Sequence, residues 1–287
     1  MKTNTQPIDY VKDTFPEYLG KKDHISASDI KSFMKSPQYY FYNKYEDKKV
    51  KNEDARHFII GSALHESVLE PHQFFDNYIV APKFDRRTKE GKQEFNDFQI
   101  KNKGKGILLE EEMDMIIKMG ANALKNKSLI ELVNDSYREL SIYTSDEKTG
   151  LKIKLRPDVF CKNKSTIVDI KTCVDSSNKE FKRNVYSYGY SISDAFYKDF
   201  ANKENYVFCA IEKNPPHQVS LYELTDEMVD YGRKMYRTGL DLLKWSYDNN
   251  YWCDYNEFEI LKECYELENL DTFFETLENS SIISILK

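Results

Sequence analysis

The run Leu151-Lys152-Ile153-Lys154-Leu155-Arg156-Pro157-Asp158-Val159-Phe160, followed by Thr166-Ile167-Val168-Asp169-Ile170-Lys171-Thr172, constrains this chain more than any other stretch. Lys148-Thr149-Gly150 supplies a turn ahead of it, and residues 137–144 alternate well enough to be the strand on the other side. The pattern therefore predicts strands over 137–144, 151–160 and 166–172. Side chains along a strand repeat every two residues, so Asp169 and Lys171 share a face from which Ile170 points away. Asp158 closes the preceding strand. If the two strands pair, two carboxylates and an ammonium gather on one face. Two such oxygen donors suit Mg²⁺ or Mn²⁺, and the lysine is placed to act on water or to steady a developing charge. A carboxylate inside the apolar run Ile167-Val168-Asp169-Ile170 is costly to bury unless a metal or a partner satisfies it. The spacing leaves a plainer alternative open, in which Asp158 is a turn former and Asp169 and Lys171 form an ordinary salt bridge. Glu139, just ahead of the strand pair, is either a further ligand or a surface acid.

With 287 residues, 40% of them hydrophobic, the chain can bury a substantial core. Residues 1–22 read as a loosely held leader. Ser26 or Ser28 caps a short helix through Phe33 and Met34 that ends before Pro37. Tyr39, Tyr40, Phe41, Tyr42 and Tyr45 read as core and rim packing, and the charges of 44–57 as surface. Gly61 to Pro71 reads as a helix, with His65 and Leu69 on one face and Leu64 and Val68 on the next. By itself a histidine at 65 is more often a packed or hydrogen-bonded side chain than a metal ligand. Residues 84–106 are a loop, a short surface helix or a flap over DNA, and 107–127 have helical periodicity. Further strands are expected at 206–211 and 218–224, with helices over 179–200 and from Asp226 to Tyr247. Helices before, between and after the strands predict an α/β fold of one domain, a central mixed β-sheet flanked by helices.

No run of 18 apolar residues and no signal-peptide pattern occurs, so a cytoplasmic protein without membrane association is expected. Cys161, Cys173, Cys209, Cys253 and Cys264 show no C-x₂-C spacing, which argues for buried free thiols and against a zinc cluster or a disulfide framework. The net charge of −6 counts against nucleic-acid binding only until its distribution is read. Residues 254–280 hold nine acids and one lysine, so the rest of the chain carries +2. Segment 83–105 has eight Lys/Arg, among them Arg86, Arg87, Lys89 and Lys92, against four acids. A basic stripe of that kind can bind phosphate on an acidic protein.

Several stretches, in one order over roughly residues 24–250, carry a resemblance: ISASDIKSFMKSPQYYFYNKY, GSALHESVLEP with His65, KFDRRTKEGKQEF, the core LKIKLRPDVF…IVDIKT, YGYSISDAFYKDF and FCAIEKNPPHQVSLYEL. Together they resemble the PD-(D/E)xK nuclease superfamily, and within it the phage-type exonucleases similar to exodeoxyribonuclease VIII and the RecB-like nuclease domains. The resemblance implies a restriction-endonuclease-like core over residues 1–253, with 254–287 as an acidic helical or docking segment outside the match. It implies Asp158 and Asp169 as metal-binding carboxylates and Lys171 as the catalytic lysine. His65 would add a ligand or orient one. Tyr197 and the residue at 193 would lie on the DNA, with the basic segment holding backbone phosphates without reading bases. It further implies digestion of linear duplex from an end, commonly 5′→3′, a single-strand annealing partner and a ring-shaped homo-oligomer. One departure stands out. The family's Q-x-x-x-Y motif here reads Ser193-Asp194-Ala195-Phe196-Tyr197, and a serine lacks an amide that donates and accepts at once. The departure leaves a second reading open, a DNA-end-binding or interaction module with a weakened or lost site.

Overall fold

Period-two patterning divides the strand residues between two cores, and that division builds the molecule. The computed structural model describes residues 5–46 and 55–279; the middle of the charged stretch 44–57 and the two extreme ends of the chain lie outside them. The described residues form the strands β1 (Asp9–Val11), β2 (Tyr78–Val80), β3 (Gly106–Leu108), β4 (Ser136–Arg138), β5 (Ser141–Ser145), β6 (Lys152–Leu155), β7 (Val159–Cys161), β8 (Thr166–Cys173), β9 (Asn205–Glu212) and β10 (Val219–Tyr222). The main sheet runs β10-β9-β8-β7-β4, with β8 and β9 parallel and every other pair antiparallel. A parallel pair needs a long crossover, and the helices Asn178–Ser187 and Tyr190–Ala201 provide it.

Phe160, Ile167, Tyr206, Phe208 and Ala210 face one side of this sheet, where Ile192, Ala195 and Phe196 of the crossover and Tyr236, Leu240 and Leu243 of the helix Asp226–Asn249 cover them. Their neighbours Val159, Cys161, Val168, Ile170, Val207, Cys209 and Ile211 face the other side, against Leu64, Val68 and Leu69 of the helix Ala55–Leu69 and Met119 and Ala123. Burial on both faces explains why β8 and β9 read as nearly continuous apolar runs. This is the expected restriction-endonuclease-like α/β architecture. No helix among the described residues is long and apolar enough to cross a membrane. All five cysteines are free thiols, four of them buried.

The structure corrects several element boundaries. The expected strands 137–144 and 151–160 each break in two. β4 pairs with β7 in the main sheet, while β5 and β6 pair across the turn at Gly150 in a separate sheet ordered β1-β5-β6. Glu139 bends one strand with a φ of +47°, and Pro157, which has no N–H to give a ladder, marks the break in the other. Among its described residues, 5–22, the leader is not loose: β1 pairs with β5, and the helix Phe15–Gly20 starts in a capping box at Thr14 and buries Tyr18. The helix expected over 179–200 breaks at Gly189, whose φ of +61° a residue without Cβ adopts cheaply. Residues 84–106 contain the exposed helix Lys89–Lys101, and 107–127 opens with β3 before turning helical. The helix Ala27–Lys35 starts at Ser26, in a capping box with Asp29, and stops ahead of Pro37 as expected. The acidic segment is helical over Tyr255–Glu266 and Phe273–Asn279, and it buries Phe258, Leu261, Cys264 and Phe273 in the main core.

Candidate active site

Strand β7 pairs with β8 only at Val159–Val168 and Phe160–Ile167. Past that point the chain has turned away at Pro157, so the edge of β8 beyond Val168 has no β7 residues beside it. Side chains fill the gap. Asp158 Oδ2 accepts the Ile170 N–H at 2.6 Å, and His65 Nε2 lies 2.9 Å from the Ile170 carbonyl oxygen. A carbonyl only accepts, so Nε2 carries a hydrogen and donates it. The other ring nitrogen, Nδ1, stands 3.4 Å from Asp158 Oδ1. His65 comes from the helix that covers the second core, anchored there by Leu64, Val68 and Leu69. It therefore spans Asp158 and the sheet edge.

Asp169 and Lys171 lie one strand-period apart on the face they share with Ile167. Lys171 Nζ donates to Asp169 Oδ1 at 2.5 Å and stands 5.7 Å from the centre of the Tyr190 ring, itself stacked on Phe208. The side chains of Asp158, Asp169, Lys171 and His65 keep between 13% and 31% of their accessible surface, so the cluster is shielded but open to a ligand. Burial pushes both carboxyls up, and what opposes it differs. At Asp158 the His65 ring, Lys171 and the Ile170 N–H outweigh burial and bring the carboxyl down to about 2. At Asp169 burial wins, with the Asp158 charge adding to it against the pull of Lys171. Lys171 is drawn down by burial, but Asp169 and Asp158 hold its ammonium above the ordinary lysine value. His65 is likewise raised, because the Asp158 charge overcomes burial. Two acids driven apart in this way are a common mark of a working site.

The crossover helix Tyr190–Ala201 forms the opposite wall. Buried Ser193 accepts a hydrogen bond from Lys31 Nζ at 3.0 Å, and the Tyr197 hydroxyl lies 3.4 Å from the Arg156 N–H, beside Pro157 and Asp158. Lys31, from the helix Ala27–Lys35, is the residue that sequence reasoning missed. It lies more than a hundred positions from the acids, and its helical spacing says nothing of where its ammonium ends. Glu139 does not join the cluster, because its carboxylate is taken by Arg156 at 3.1 Å. Arg86, Arg87, Lys89 and Lys92 are exposed on the surface helix and the loop before it. Arg86 stacks on Phe95, 4.4 Å from the ring centre, and Arg87 pairs with Asp85, so the contacts of both stay within their own segment.

Among the described residues no three His, Cys, Asp or Glu side chains converge as a ready-made metal cage. The donor set still fits a hard divalent ion. Asp158 Oδ1 and Asp169 Oδ2 are carboxylate oxygens on adjoining chain segments, and Mg²⁺ commonly takes one or two carboxylates with water and phosphate completing its shell. His65 nitrogen is already committed to the carbonyl and to Asp158.

The fold and the site together define a PDDEXK-like α/β domain. The chain belongs to the family described as a PDDEXK-like domain of unknown function (DUF3799), whose model matches residues 26–263. No curated relative matches it in sequence. Among solved structures, a putative exonuclease from Eubacterium rectale shares 15% identity over 81% of this chain and 85% of that one, with a TM-score of 0.55, and so has the same fold. A phage-related exonuclease from Haemophilus somnus 129PT shares 10% identity over 79% of this chain and 96% of that one, with a TM-score of 0.36.

Proposed function

We propose that this protein is a divalent-metal-dependent deoxyribonuclease that digests linear double-stranded DNA from an end, in the 5′→3′ direction, to expose single strand for phage-type recombination. The observation that carries the reading is the convergence of Asp158, Asp169 and Lys171 at the place where β7 leaves β8. Family membership and the shared fold support it. Asp158 and Asp169 would hold Mg²⁺ or Mn²⁺. When bound, such an ion supplies Lewis acidity, lowering the pKa of water and offsetting charge on the departing 3′-oxygen. His65 keeps the Asp158 carboxylate turned toward the cluster. Lys171, an ammonium beside Asp169, donates to the attacking water or to a phosphate oxygen. Arg86, Arg87, Lys89 and Lys92 would grip backbone phosphates, so cleavage should be indifferent to sequence. A single-strand annealing protein would take the product, and a ring of copies around the duplex would keep the enzyme on its substrate.

The test is a nuclease assay on linear and covalently closed duplex with and without Mg²⁺. Metal-dependent release of nucleotides from linear DNA alone supports the proposal. Binding of ends without turnover would favour the second reading, an end-binding module, which rests on Ser193 standing where the resemblance implies glutamine. Cutting of closed circles would leave a nuclease but not an exonuclease.

A further inference from the structure

Lys31 sits beside the acid cluster without an acid of its own. Among the described residues its hydrogen-bond acceptors are both neutral, the Ser193 hydroxyl at 3.0 Å and the Tyr188 carbonyl at 3.4 Å. Other inward-turned lysines differ: Lys203, half-buried and likewise held by neutral carbonyls, those of Cys161 and Lys164, lies over the Phe160 ring at the end of β7 away from Asp158. Lys44 pairs with Asp29 at 3.1 Å and Lys198 with Asp194 at 2.8 Å. Lys154 is held by the Tyr18 and Lys21 carbonyls, but it is buried under the N-terminal turn, where no anion can reach it. Lys31 is only half-buried.

Its position is built rather than incidental. The break at Gly189 turns the Tyr188 carbonyl toward the ammonium, and the Lys31 stem lies against that glycine, its Cδ 3.0 Å from where a Cβ would stand. Ser193, one turn on, gives the hydroxyl that aims the ammonium. Burial and the like charge of Lys171 hold Lys31 down to about 8, with Asp169 pulling the other way, so it shares the field of the cluster. A cation kept by neutral groups next to a shielded acid site lacks a counter-ion, and a phosphodiester is the anion that such a site would receive.

We propose that Lys31, aimed by Ser193, contacts a backbone phosphate of the bound strand next to the bond being cut. The idea rests on the nuclease reading for which bond is meant, but the contact itself is measurable without cleavage. Anisotropy of a labelled linear duplex, titrated in EDTA at several salt concentrations, reads it directly. Lys31→Met keeps the length of the stem and removes the charge. It should bind about tenfold more weakly at moderate salt, with the slope of log affinity against log salt smaller by about one. Lys31→Arg should keep the wild-type slope, and Ser193→Ala should weaken binding less than Lys31→Met. Equal slopes for wild type and Lys31→Met, including no measurable binding by either, overturn the proposal. Failure of the nuclease reading shows separately, as an inert wild type in Mg²⁺ whose Lys31-dependent binding slope is intact.

Discussion

Asp169 is the residue on which the chemistry is most exposed to test. Its side chain, unlike that of Asp158, takes no part in the backbone ladder, so Asp169→Asn should leave the thermal transition nearly unchanged and lower turnover by roughly a thousandfold, the several kcal/mol such a centre supplies. Full activity in that variant would end the metal-site reading. In the proposed mechanism His65 acts through Asp158, and orienting partners of this kind typically cost about 10- to 100-fold. His65→Gln should therefore lose that much, with a larger share in kcat than in KM. Asp194 poses a different question. It is fully buried, with Lys198 as its ion-pair partner, and burial pushes its carboxyl up to about 6 against that cation. Because this value lies above that of the unfolded chain, Asp194 favours the fold below about pH 4, and that contribution is lost as pH rises through about 6. Relative to wild type, Asp194→Asn should gain on the order of 2–3 kcal/mol between pH 4 and 7. Paired denaturation curves at each pH measure the difference. The pair Asp169/Lys171 was legible from alternation alone, whereas Lys31 was not, because only the packing of two helices brings it to the site.

At the scale of elements, β8 and its Asp-x-Lys spacing could be read directly, since a fully buried strand has a strong local pattern. The bend that makes the site could not. The strands at 137–144 and 151–160 each look continuous, and only the competition of two sheets for one hairpin splits them at Glu139 and Pro157. The break in the crossover at Gly189 left a clearer sign, a glycine inside a helical run. Gly232 carries another such sign. A Cβ there would lie 2.0 Å from the Ser191 carbonyl oxygen, because the helices Tyr190–Ala201 and Asp226–Asn249 touch backbone to backbone at that point. Gly232→Ala should cost about 2–4 kcal/mol in a urea titration. It should also impair DNA binding through Ser193, since the helix that carries it must shift.

For the molecule as a whole, the acidic segment is part of the body. Phe258, Leu261, Cys264 and Phe273 lie in the same core as Phe33 and Leu243. Each apolar side chain of this size is worth about 1.5–3 kcal/mol when buried. Ending the chain at residue 253 therefore removes an amount comparable to the net stability of a domain, about 5–15 kcal/mol. The truncated protein should lack a cooperative melting transition by circular dichroism. A soluble, cooperatively melting product would show that the segment only leans on the core. From sequence the segment's charge was plain and its apolar spacing suggested a helix, but which surface it covered was set by residues far away in the chain.

The side chain that stops the gap beside Ile170 does two jobs, and truncating it to alanine removes both at once. Deleting the Asp158 carboxylate strands a shielded amide, a loss of about 1–3 kcal/mol apart from any chemistry. A catalytically silent protein for capturing a DNA complex is therefore better sought at 169, where the lesion stays electrostatic, than at 158, where it also loosens the seam of the sheet.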